Sequence, residues 1–125
     1  MAAALIRQPA PPTAIFASND LVTMGVIDAL QEAGRYGPAG EGSGRSARRG
    51  DGAARVALVG FDEFALADKL TPPVTVVSQD AAAIGATAAQ LLFARIGGDT
   101  SSPRDVVLLT RLVARGSGEI APAAL

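Results

Sequence analysis

The chain has 125 residues, a length suited to one domain or part of one. Hydrophobic residues make up 49% of it and aromatics only 4%, so any core must be built from Ala, Val, Leu and Ile. Eleven basic and twelve acidic residues leave a net charge of −1, without the electrostatic footprint of a nucleic-acid binder. The lack of cysteine and histidine excludes disulfides, thiolate metal sites, a cysteine nucleophile and the commonest general base.

Met1–Gln8 is expected to be the tail of a helix, ended by Pro9-Ala10-Pro11-Pro12, which forces an extended approach to the next element. The start has no basic leader and Arg7 interrupts its short apolar run, so no signal peptide is expected. No apolar run approaches the length of a membrane span, and a soluble, cytoplasmic protein without a membrane partner is expected.

Thr13–Gly34 reads as strand, polar corner, helix. Thr13–Ala17 is the strand. Val22, Val26, Ala29 and Ala33 repeat at helical spacing, and Ile27 and Leu30 widen their face. Gly34 is placed to end the helix, because glycine enters the left-handed C′ conformation without a Cβ penalty. Ser18-Asn19-Asp20 holds good helix caps. The same corner is also a ligand position if the strand is parallel, since open α/β sheets bind ligands at the carboxyl ends of their strands.

Residues 35–55 are rich in Gly, Arg and Ser and nearly free of large apolar groups, which predicts a flexible surface loop. Its Gly40-Glu41-Gly42-Ser43-Gly44 lacks the flanking strand, helix and Gly-Lys-Ser/Thr ending of a phosphate loop. Arg45, Arg48 and Arg49 fit a solvated loop better than a nucleic-acid contact.

Val56–Phe61 is apolar on both faces, as in a parallel strand covered by helices on each side, and ends in Asp62-Glu63. Phe64–Leu70 is too short to assign, and Thr71-Pro72-Pro73 breaks the chain. Val74–Ser78 is a third strand, followed by Gln79 and by Asp80, a cap for a helix over Ala81–Ile96. In that helix Ile84, Ala88, Leu91, Leu92 and Ile96 form a stripe whose small neighbours permit packing on a sheet. Gly97-Gly98 ends it, residues 99–104 turn, Val106–Val113 is a fourth strand, and Gly116-Ser117-Gly118 starts the tail. The element order predicts an α/β sheet protein.

Asn19, Asp62 and Gln79 each follow an apolar strand, which suggests one polar crevice at one sheet edge. Amides that donate and accept, beside a carboxylate that accepts twice, suit the hydroxyls of a neutral polyol. Phosphate fits poorly, since no Lys or Arg joins the set. A divalent metal fits weakly, since Asp62 and Glu63 have no second acidic cluster. No cofactor is implied. An α/β enzyme using Asp62 or Glu63 as base is an alternative, but no G-x-S-x-G motif supports it, and Ser117 lies in the tail. Glu63, next along the strand, is expected to point away from Asp62.

The stretches Pro12–Asp20 with Met24-Gly25, Val56–Glu63, Thr71–Asp80 and Leu112–Ser117 resemble, in order and spacing, the lactose-repressor/galactose-repressor family of bacterial transcription regulators. Together they span nearly the whole chain. The resemblance implies a periplasmic-binding-protein-like type I sensor domain that is incomplete: mostly the C-terminal lobe, plus the last helix and strands of the N-terminal lobe. It implies that Asn19, Asp62 and Gln79 touch a small effector, a sugar, in the cleft between lobes. It also implies a crossing between lobes near Pro72–Ser78, the helix from Ala81 packed on the other lobe, and a homodimer interface that includes Met24 and Leu70. The protein would not be an enzyme, and DNA would be bound only through a helix-turn-helix domain that these 125 residues lack. The long Gly/Arg loop departs from the short Pro-containing turn usual there. A solute-binding protein for sugar uptake shares the fold and is the nearest alternative.

Overall fold

A computed structural model gives the fold over residues 2–37 and 54–122. Four strands form one sheet: β1 (Ala14–Ala17), β2 (Ala57–Phe61), β3 (Thr75–Ser78) and β4 (Arg111–Val113), side by side in that order. β1 and β3 both run parallel to β2, and β4 runs antiparallel to β3. Among the described residues there are three helices: α1 (Ala2–Ile6), α2 (Asp20–Glu32) and α3 (Ala81–Ile96). Among the described residues no helix is long and apolar enough to cross a membrane. The expected loop over 35–55, with Gly40–Gly44 and Arg45, Arg48 and Arg49, lies outside the described residues apart from its two ends.

The start and end of α2 follow local chemistry. Asn19 caps it, its Oδ1 accepting from the Val22 amide at 2.8 Å. At the other end Gly34 has φ +66°, its amide donates to Gln31 O, and the Arg35 amide donates to Leu30 O. These two bonds make a Schellman close, which needs a left-handed residue at this position. Asp80 caps α3 in the same way as Asn19, through the Ala83 amide.

The buried face of α2 differs from the expected stripe. Thr23, Val26, Ile27 and Leu30 face the sheet, while Val22 and Ala33 are exposed. Thr23 can be buried because its hydroxyl donates to Asn19 O at 2.7 Å. It also needs room. A Cβ on Gly60 would lie 2.8 Å from Thr23 Oγ1, so only glycine allows this approach.

The core lies between this face and one side of the sheet. Ala17, Leu58, Val74 and Val76 meet Val26, Ile27 and Leu30, with Ile6 of α1, Tyr36 and Ala67 closing the ends. Leu30 and Leu58 are fully buried and contribute about 1.5–3 kcal/mol each. Tyr36 joins the loop's first residues to the Pro72 turn, its hydroxyl donating to Pro72 O at 2.6 Å.

Three expectations are corrected. Among the described residues α2 is the only helix on β2, and Gly118 packs against Val59 and Thr75. The fourth strand covers Arg111–Val113 instead of Val106–Val113, because β3 offers it only Val76–Ser78 to pair with. α3 has no buried residue and packs on no other described helix or strand. Its Leu92, Phe93 and Ile96 are 58%, 68% and 72% exposed, so the stripe expected to permit packing on a sheet does not pack on this one.

Candidate functional site

Three parallel strands point their carboxyl ends the same way, which carries Asn19, Asp62 and Gln79 to one edge of the sheet. β2 ends in a turn at Asp62, which has φ +74°. Aspartate is among the few side chains that tolerate this left-handed region. The Asp62 amide donates to Val77 O at 3.0 Å, extending the β2–β3 ladder by one residue. Gln79 follows β3, and its Nε2 donates to Asp62 Oδ1 at 2.5 Å.

Asp62 and Gln79 are thus brought together. Asn19 stands at the same edge, but its side-chain oxygen is bonded within α2 as the cap. Its side chain is solvent-exposed. Beside Gln79 opens a cleft of about 360 Å3, lined by Ser78, Gln79, Asp80, Ala81, Leu109 and Arg111. Arg111 thus lines the same cleft as Gln79, while neither Asp62 nor Asn19 lines it. The pairing of Ser78 with Arg111 in β3–β4 brings it there, and nothing local in the sequence signals that register.

Asp62 and Glu63 both lie beyond the end of β2, so strand alternation does not set their directions, and Glu63 is engaged with Arg115 instead. Its two oxygens accept from both terminal nitrogens of Arg115 at 2.8 and 2.7 Å, a bidentate pair. The Arg115 hydrogen bond, opposed by partial burial, holds the Glu63 carboxyl below its ordinary range. Arg115 itself stands on a buried network. Its amide donates to Thr75 Oγ1, and that hydroxyl donates to Glu119 Oε2. Ser117 Oγ donates to Leu58 O at 2.6 Å and accepts from the Thr75 amide at 2.9 Å. The Leu58 amide donates to Ser117 O. Ser117, expected in a tail, therefore fills the gap between β2 and β3 like a residue of the sheet.

Among the described residues no three acidic groups come together as metal ligands. Met24 is exposed on the outer side of α2, whereas Leu70 is half-buried against the core.

A family model for the periplasmic binding protein-like domain matches residues 54–118. The chain is 34% identical over 105 residues to the HTH-type transcriptional regulator CelR of Thermobifida fusca, covering 84% of this chain and 26% of that one. It is 30% identical over 113 residues to the ribose operon repressor of Escherichia coli (strain K12), covering 90% and 30%. A crystal structure of a LacI family transcriptional regulator from Arthrobacter sp. FB24, in complex with lactose, superposes with a TM-score of 0.68. That match has 29% identity and covers 94% of this chain and 39% of the other. The chain thus spans about a quarter to a third of the length of the curated relatives it matches.

Proposed function

The chain belongs to the family of periplasmic binding protein-like domains, and from that membership we propose that residues 1–125 form part of the effector-binding domain of a transcriptional regulator. The effector is a sugar or a similar polar metabolite. Asp62 and Gln79 bind its hydroxyls, with Asn19 at the same sheet edge. The observation that carries this is the Asp62–Gln79 hydrogen bond at the carboxyl ends of two adjacent parallel strands. The relatives add support, since one is named for the ribose operon and a structural neighbour holds lactose.

The protein acts in the cytoplasm as a homodimer, with the outer side of α2 around Met24 and the segment reaching Leu70 as its interface. A helix-turn-helix domain outside these 125 residues makes the DNA contacts. Catalysis is disfavoured by the states of the candidate groups. Glu63 is paired with Arg115, which makes it a poor base, and the Ser117 hydroxyl is consumed inside the sheet. An uptake protein shares the fold, but the matched curated relatives are regulators.

The test is a titration of the 15N-labelled chain with D-ribose, lactose and a panel of other neutral sugars. Saturable shifts of the Asp62 and Gln79 signals by at least one sugar, without turnover, are expected. Shifts confined to other parts of the chain, or release of a product, would defeat the proposal.

A further inference from the structure

We propose that Arg115 is a positioning residue for Asp62: through its bidentate grip on Glu63 it fixes the left-handed corner from which Asp62 meets the effector. This rests on reading Asp62 as an effector contact. The corner needs such a device. A non-glycine residue with φ +74° sits in a sparsely populated region and persists only where its surroundings over-determine it. On the strand side, the Asp62 amide is held by Val77 O and its carboxylate by Gln79. On the far side the first anchored atoms are the Glu63 oxygens on Arg115. Without that anchor the chain beyond Asp62 would be free to relax the corner toward the extended region.

Arg115 suits the role because its own base does not move. Its amide is bonded to Thr75, which is 1% exposed, and Ser117 two residues on is locked between β2 and β3. The planar fork also sets direction as well as distance, which a lysine cannot do. Arg115 thus transmits the rigidity of the sheet interior to the far side of a turn whose near side ends the β2–β3 ladder, without touching the ligand.

Amide exchange on the full 125-residue chain tests this with Arg115→Lys, which keeps the charge and loses the fork, and with Glu63→Gln. Both should speed exchange of the Asp62 amide at least about tenfold. The Leu58 amide, bonded to Ser117 O, and the Ala57 amide, bonded to Thr13 O, should keep their protection. The double variant should match the single ones, because one interaction is removed either way. Acceleration of all three amides together would make Arg115 a general stabiliser, and an unchanged Asp62 amide would also overturn the proposal.

The same samples are titrated with D-ribose and lactose. Affinity about tenfold weaker in both variants supports positioning, and parent-like affinity overturns it. If neither sugar binds the parent while the exchange pattern holds, the sugar assignment fails and the positioning of Asp62 stands.

Discussion

Gln79 Nε2 donates to Asp62 Oδ1 at 2.5 Å, adding a side-chain tie between the ends of β3 and β2 to the backbone bond from the Asp62 amide to Val77 O. Asp62→Asn is the informative variant, because asparagine also tolerates the left-handed region that Asp62 occupies. Hydrogen bonds to a charged group contribute about 1.5–3 kcal/mol against about 0.5–1.5 for a neutral one, so loss of the charge should weaken sugar binding by roughly tenfold. Thermal stability should stay near that of the parent. Asp62→Ala should weaken binding more, by about 10- to 100-fold, and also destabilise, since alanine resists the backbone geometry. Calorimetry and thermal melts on the same samples separate the two effects, and undiminished affinity in Asp62→Asn would remove Asp62 from the site.

Gly60→Ala should lower folding stability by about 1–3 kcal/mol, since the new methyl meets Thr23 Oγ1 and Cγ2 at 2.8 and 3.0 Å. In a Thr23→Ala background the same change should cost less than about 0.5 kcal/mol. Urea unfolding of the four proteins gives the coupling. Strict additivity would mean that the helix shifts as a body instead of clashing at one side chain.

Tyr36 is the sole tyrosine and there is no tryptophan, so absorbance near 295 nm reads its ionisation alone. Burial, partly offset by Arg55, pushes its pKa from 10.0 up to about 12. The folded state therefore holds the phenolic proton more tightly than the unfolded state. The stabilisation is complete below pH 10 and is lost as pH rises through about 12. Tyr36→Phe should cost about 1–2 kcal/mol at neutral pH by stranding the Pro72 carbonyl, and should flatten the alkaline decline. A spectroscopic midpoint near 10 would contradict the burial of this hydroxyl.

Exposed apolar groups on α3 and on residues 106–109 should make the isolated chain self-associate. Leu92, Phe93 and Ile96 join Val107 and Leu109, the last two being 86% and 92% exposed. Sedimentation velocity should show mass rising with concentration, and Leu92→Glu with Phe93→Glu should reduce that rise. A single monomeric species at every concentration would count against it.

The parts of the fold set by neighbouring residues were legible in the sequence. The cap at Asp80, the close at Gly34, and the three strands ending at Asn19, Asp62 and Gln79 all follow from short-range pattern and from the common direction of parallel strands. What depended on distant partners was not. The α2 face turned to Thr23 because of Gly60, far along the chain. Arg111 reached the cleft through the β3–β4 register, and Ser117 entered the sheet because β2 and β3 leave a gap there. The Arg115–Glu63 pair joins two surface-type residues that no periodicity connects.

β3 leaves the sheet at Ser78, and β4 re-enters directly opposite at Arg111. Residues 79–110, with α3, are therefore slung from two adjacent points. Tension on that segment falls first on the Ser78–Arg111 pair, so β4 would part from β3 like a zip, one pair after another. The parallel joints between β1, β2 and β3 would instead be loaded lengthwise, with their bonds sharing the force. The sheet carries a tear line between its third and fourth strands, and a load arriving through α3 meets that line before it meets the core.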